Sequence, residues 1–428
     1  MSCKATEKAI KLLLLTPMKR IHFLLALLVF SVLLCLHGNS QQLPDSIAHK
    51  QDCFQKDIFD VISRKKIFPR PVIERKLRVL AIPTLSYAPV TGLQLGAGAS
   101  LSWNWGRDLS TRLSAGMVQA VWTTERQFIA QIKSNIYTHR NILYLQTDWR
   151  LYIFRMDTWG LGTGAMGDAY PMIFDWIKFH NVISGKIAGN VYLGIGYHLD
   201  YHFKIAQLNL DPDNSEIKMT PYSKYCLLHG FNLNKNIASG LSANIVYDSR
   251  DNIINPYKGI YANVNYRYNF SLLGSDQNGS QLWTEFRTYI GLSKKNPRHL
   301  IALWTFGSFQ MSGSLPYLDL MASGFDQMNA SGRGYKQGRW RGQDYVYAEA
   351  EYRFPISPCS GVVGGVLFAN VTTASDRDNH VPLFAYLRPG VGFGVRIMVS
   401  KNDRTNILID FALGQQSNGF YIQAQEIF

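Results

Sequence analysis

Past its opening segment, this 428-residue chain has no apolar run long enough to cross a bilayer as a helix. Such a helix needs about 20 predominantly apolar residues. The mean hydropathy of −0.08 agrees, and a helical membrane protein is excluded. Cysteine is scarce: Cys3 and Cys35 lie in the opening segment, and Cys53, Cys226 and Cys359 are an odd, scattered set without a CxxC pair. They read as isolated thiols, with neither a disulfide framework nor a metal site. Charged residues are only 17% of the chain, and acids are outnumbered 30 to 44, for a net charge of +14. The basic residues are dispersed rather than gathered in a block. That points away from nucleic acid and towards anionic lipid headgroups and lipopolysaccharide as partners. Catalytic signatures are missing too: there is no G-x-S-x-G, no S-x-x-K with its supporting motifs, no H-E-x-x-H and no P-loop. Neither enzymatic activity nor a cofactor is expected.

What the chain does have begins with an export signal. Lys19 and Arg20 precede an apolar run from Ile21 to Leu36, broken only by His22 and Ser31, and then come Gly38, Asn39 and Ser40. This is a signal peptide over residues 1–40, cleaved after Ser40, with Met18 as an alternative start. An uncleaved anchor would want a longer core. Residues 41–77 then form a short periplasmic segment. Asp57 to Ile62, with Lys65 and Lys66, reads as one helix before Pro69 and Pro71 break the chain.

Aromatics make up 13% of the chain, and the remainder, 78–428, carries most of them together with most of the 35 glycines. That mixture suits a membrane barrel, where one face of each strand meets lipid, the other meets water, and aromatic girdles mark the interfaces. Period-two alternation supports it. From Val191 to Ile205 the odd positions are all apolar, while the even ones include Gly194, His198, Asp200, His202 and Lys204. Leu387 to Val399 and Ile260 to Tyr268 alternate likewise, placing Arg388, Arg396 and Arg267 inside. The expected strands are 91–105, 109–121, 126–137, 141–154, 172–187, 190–205, 222–233, 238–248, 258–270, 281–292, 298–311, 344–354, 361–370, 385–399, 404–413 and 419–428. The fold class is therefore all-β, an antiparallel transmembrane barrel of about 16 strands in the outer membrane of a Gram-negative bacterium. An even count puts both ends on the periplasmic side, so the long connection 312–343 faces outward. Phe428 closes the sequence, and Phe420, Ile422, Ala424 and Phe428 share one face of the last strand, as girdle residues or as a sorting signal.

Three stretches carry a family resemblance. The first runs from Tyr247 to Gly259 and contains Asp248, Arg250, Asp251, Pro256 and Gly259. The second joins Gly332-Arg333-Gly334-Tyr335 to the strand Asp344–Pro355. The third is Gly419-Phe420 to Phe428. Together they resemble the BamA/TamA-like outer-membrane barrels, or bacterial surface antigens, over roughly residues 83–428. The resemblance implies that the loop before strand 12 folds into the barrel and that acidic residues on the inner wall hold its Arg-Gly-aromatic tip. Arg333 is then the tip arginine. Alternation turns Tyr345, Tyr347, Glu349, Glu351 and Arg353 inward, making Glu351 its first partner and Glu349 its second. A buried guanidinium cannot shed its charge and needs such acceptors. Two positions depart from the pattern: Gly332 replaces an apolar, often β-branched residue, and Asn370 stands where an acid is usual, leaving the tip one carboxylate fewer. Residues 41–77 are also too few for even one of the POTRA modules that assembly members carry, which makes this a POTRA-less member.

Two patterns mislead. His198 and His202 share a strand face, but at about 3.3 Å per residue they stand about 13 Å apart, too far for one metal ion, and they read as lumen histidines. Gly162 to Gly167 matches the dinucleotide fingerprint, yet no helix follows and no βαβ unit surrounds it, so it reads as a flexible outer loop. Three functions remain open. One is assembly or export of proteins or lipids through a weak seam between the first and last strands. The second is a pore, scaffold or accessory subunit among other outer-membrane proteins. The third, least supported, is a lipid hydrolase or acyltransferase.

Overall fold

The computed structural model describes residues 55–63, 77–88, 92–105, 110–208 and 219–428. The expected signal peptide and most of the segment 41–77 lie outside the described residues. The strands are β1 (Arg78–Ala88), β2 (Gly92–Asn104), β3 (Leu113–Thr123), β4 (Phe128–Tyr137), β5 (Leu143–Thr158), β6 (Tyr170–Ala188), β7 (Val191–Gln207) and β8 (Asn236–Asp248). They continue with β9 (Gly259–Asn269), β10 (Gly279–Gly291), β11 (Leu300–Gly313), β12 (Asp344–Pro355), β13 (Val363–Ala374), β14 (Arg388–Ser400), β15 (Thr405–Gly414) and β16 (Ser417–Ala424). Each pairs antiparallel with the next, so the 16 strands form one sheet in chain order. Cα atoms of β1 and β16 come within 8 Å of each other, yet among the described residues no ladder joins them.

Side chains sort as a barrel in lipid requires. On β7, Leu193 and Ile195 are exposed while Tyr192, His198, Asp200 and His202 are buried. The alternation reverses at Lys204 (φ 50°), opposite a register shift between Ile173 and Asp175, and Ile205 turns inward. The exposed apolar face continues around the sheet through Trp122, Ile153, Ile183, Leu241, Val391 and Phe393. Inside, Phe154, Trp176, Tyr222 and Tyr317 form one packed cluster, and Trp304, Tyr345, Tyr347, Trp340 and Phe428 form another. The lumen is filled in these regions.

Two element assignments change. The strand expected at 222–233 is the helix α2 (Pro221–His229), within the β7–β8 connection; α1 (Ile58–Ile62) precedes the barrel. Thr220 caps α2 by accepting from the Ser223 N–H at 3.2 Å, Pro221 fits the first turn, and Gly230 at φ 72° ends it. The first strand lies earlier than expected, at β1, despite Pro83. An edge strand tolerates proline because half of its backbone groups face no ladder. The two changes offset each other in the strand count.

The last strand is also shorter than expected. It stops at Ala424; Gln425 adopts φ 73°, and residues 425–428 turn into the barrel. Glu426 therefore does not meet lipid, and Phe428 is buried against Trp304 at 5.2 Å between ring centres. Cys359, in the β12–β13 turn, is disulfide-bonded, which corrects the expectation of isolated thiols; Cys226 is free and buried. The turn lies where the α1 segment docks, with Lys56 N–H donating to Ser360 O at 2.8 Å and Lys401 pairing with Asp60. Sequence spacing carries no trace of that approach.

Candidate functional site

The site is built on β12, whose alternation sends Tyr345, Tyr347, Glu349, Glu351 and Arg353 into the interior, all buried. Opposite them stands the β11–β12 connection. It folds back on itself through a bridge between Ala322 and Arg341 and through Ser323 N–H donating to Trp340 O at 2.9 Å. The Asp326 carboxylate shapes its far end, accepting from the N–H groups of Met328, Ala330 and Ser331 at 2.8, 3.1 and 2.8 Å. At the tip the chain needs left-handed backbone on either side of Arg333. Gly332 has φ 76° and Gly334 φ 102°, and a Cβ on Gly334 would stand 2.9 Å from the Leu413 carbonyl carbon. This accounts for Gly332: the β-branched residue of the family pattern would be strained there.

Arg333 is buried, its guanidinium 3.5 Å above the Phe368 ring. Nε and Nη2 donate to Glu349 at 3.2 and 2.5 Å, Nη2 also reaches Glu351, and Nη1 donates to Asp410 at 2.7 Å. Both acids of β12 are engaged together, and the strand ladder supplies a third carboxylate from β15. The expected shortfall of one acid does not occur, because Asp410 provides what β13 lacks. Asn370 acts on the backbone instead, donating to Arg333 O at 3.0 Å. Tyr335 OH donates to Pro389 O at 2.6 Å, and Gly334 N–H donates to Tyr421 OH at 3.0 Å. One loop tip thus touches β12 to β16.

The charged chain continues towards the α1 end of the barrel. Glu351 also pairs with Arg353 at 2.7 Å, and Arg396 joins Asp410 to Glu426, the latter at 3.0 Å. On the opposite wall, Lys133 donates to Gln327 O at 2.7 Å and Arg150 to Asn329 Oδ1 at 2.7 Å. The loop is braced across the lumen from β4 and β5 to β12–β16.

The Omp85 superfamily domain matches residues 177–424, more than half of the chain, including Arg333 and its three carboxylates. The chain belongs to the Omp85 superfamily. Among solved structures it is similar to BamA from Haemophilus ducreyi lacking POTRA domains 1–3, at 16% identity and TM-score 0.50 over 82% of this chain and 69% of that one. CdiB from Acinetobacter baumannii matches at 11% identity and TM-score 0.47 over 81% of this chain and 65% of its own. No curated protein sequence matches. Membership makes this an outer-membrane β-barrel of a protein insertion or secretion family, whose members are transporters or insertases rather than enzymes.

The other residues singled out in this Omp85 barrel separate into distinct places. Asp248 is buried, clamped by Arg250 Nε and Nη2 at 3.0 and 2.8 Å and by Tyr137 OH at 2.6 Å. Asp251 orders the β8–β9 turn by accepting from the N–H groups of Tyr257 and Lys258, which follow Pro256, at 3.0 and 3.2 Å. It also reaches Arg404 at 2.7 Å. Gly259 has φ 107°, with Ser249 O only 2.5 Å from where a Cβ would stand. This turn is remote from Arg333. Gly419 leaves room for the Tyr421 hydroxyl, and Phe420 faces outward.

The fingerprint-like loop 162–167 is not free. Gly162 N–H donates to Arg341 O at 2.7 Å, and Arg388 Nε donates to Thr163 O at 2.8 Å. His198 and His202 face the lumen, and among the described residues no cluster of metal-ligating side chains exists. Neither Asp410 nor a cavity beside the loop tip is legible in the sequence. That cavity, about 400 Å³, is lined by Ser100, Gln119 and Gln131 of β2–β4, by Asn329 and Arg333 of the loop, and by Tyr421 of β16.

Proposed function

We propose that this Omp85 barrel moves polypeptide or lipid into or across the outer membrane through the seam between β1 and β16. The observation that carries the reading is the seam itself: two edges lie side by side without a ladder, next to a cavity of about 400 Å³. Edge strands with unpaired N–H and C=O groups accept an incoming strand. β16 has eight residues, whereas a spanning strand takes about 9–11, so its own pairing energy is small. The braced loop favours this over a simple pore, because it occupies the lumen that a pore would leave open. In this reading the loop end faces outward and the α1 end faces the periplasm, with lipopolysaccharide against the outer belt.

Depletion of the protein tests it. General loss of outer-membrane proteins is the expected outcome if polypeptides are the cargo, and altered surface lipid if lipids are. A phenotype confined to one complex with both unaffected would leave the accessory-subunit reading instead.

A further inference from the structure

A second, smaller cavity of about 40 Å³ lies at the α1 end, between the β8–β9, β10–β11 and β12–β13 turns. Four side chains that line it each bring a buried polar atom without a hydrogen-bond partner: Arg298 Nη1, Arg353 Nη1, Tyr257 OH and Asn406 Oδ1. Arg353 and Asn406 are each only 6% exposed. Other atoms of both side chains are engaged. Arg353 donates to Glu351 and to Phe428 O, and Asn406 Nδ2 donates to Glu426 at 2.6 Å, which leaves its oxygen as the unpartnered atom. Arg298 has no carboxylate partner among the described residues; it donates to Asn296 Oδ1 and Pro358 O, and its Nη1 fills the space where a side chain on Gly361 would stand.

Two other charged groups line the cavity. Arg396 and Glu426 are paired with each other at 3.0 Å, so the uncommitted charge is positive. Unpaired buried donors are costly, typically about 1–3 kcal/mol each and more for charged groups. A water needs about 10–15 Å³ of such space. The cavity therefore holds about three waters or one tetrahedral oxyanion of similar bulk.

We propose that this cavity is a binding site for a phosphate group bearing one hydroxyl, either inorganic phosphate or a phosphomonoester headgroup. Three unpartnered donors, from Arg298, Arg353 and Tyr257, and one unpartnered acceptor, Asn406 Oδ1, belong to residues that line the same cavity. A hydrogen phosphate complements all four, since its oxygens accept and its P–OH donates. Sulfate has no such hydroxyl. Phosphate monoesters keep it in part near neutrality, their second pKa being about 6. The inference stands apart from the seam reading, because no residue of β1 or β16 lines the cavity.

The test is titration of the detergent-solubilised full chain at pH 6.5 with inorganic phosphate or sulfate, followed by calorimetry and by the unfolding temperature. Phosphate is expected to bind and to raise the unfolding temperature, and sulfate to bind about tenfold more weakly for want of one hydrogen bond. Arg298→Gln and Tyr257→Phe alter side chains at a turn and are expected to fold. Each is expected to weaken phosphate binding by about tenfold or more. Equal affinity for phosphate and sulfate, no saturable binding, or full affinity in Arg298→Gln overturns the proposal. Short-chain phosphatidic acid distinguishes the source: competition with phosphate assigns the site to a lipid headgroup, and its failure assigns it to soluble phosphate.

Discussion

Arg333 is where a single side chain decides most. Its charge is shared among Glu349, Glu351 and Asp410, all buried. Removing one member of a buried ion pair typically costs about 3–5 kcal/mol, against about 0–1 kcal/mol for an exposed pair. Arg333→Ala is therefore expected to lower the unfolding temperature in detergent and to expose the loop to added protease. Arg333→Lys is expected to recover little, since an ammonium cannot serve three carboxylates through a planar fork. Glu349→Gln and Glu351→Gln are expected to be similar in effect, because both receive Nη2. An unchanged melting profile in Arg333→Ala would falsify the braced loop as a source of stability. The acids of β12 were legible in the sequence because alternation on one strand places them. Asp410 is harder to read, although a lone acid between Ile409 and Phe411 at an inward position demands a partner. Which partner depends on how β12 to β15 curve around Phe368, and no local pattern encodes that.

Among the elements, the long alternating strands were readable and the irregular ones were not. β7 and β14 announce themselves because lipid and lumen impose opposite chemistry on successive residues. Pro83 hides β1, because a proline reads against a strand although an edge strand tolerates it. α2 reads as a strand in the sequence, although Thr220, Pro221 and Gly230 are start and stop signals for a helix. The seam belongs to this scale, for strand pairing is cooperative and the two edges lack it. Cysteines placed in pairs across β1 and β16 are expected to cross-link in several registers. A pair replacing Phe411 and Phe420, which face each other in the β15–β16 ladder, is expected to close in one register alone. A single register across the seam as well would mean a closed barrel. Gly419→Val adds a link between seam and loop: a side chain there meets the Tyr421 hydroxyl that Gly334 N–H reaches, so it is expected to loosen the tip without touching Arg333.

At the level of the whole molecule the barrel is closed by its own interior rather than by its wall. The outer belt of exposed aliphatic and aromatic side chains fits lipid on all the strands whose outer faces are described, and the purified protein is expected to show β-rich circular dichroism and heat-dependent gel mobility. Conduction distinguishes a pore from a seam. The loop is anchored to β4 and β5 through Lys133 and Arg150 and to β12–β16 through its tip, so no single contact opens the lumen. In a planar bilayer the native protein is therefore expected to conduct weakly, and Arg333→Ala only slightly more, since the far anchors persist. Deleting residues 326–335 removes both anchor sets together. That variant is expected to give large, steady conductance while keeping its β-rich spectrum, because the strands pair without the loop. Large conductance in the native protein would contradict the filled lumen and favour the pore. Weak conductance in the deletion variant would mean that the packed aromatic clusters around Trp176 and Trp304, rather than the loop, block the path.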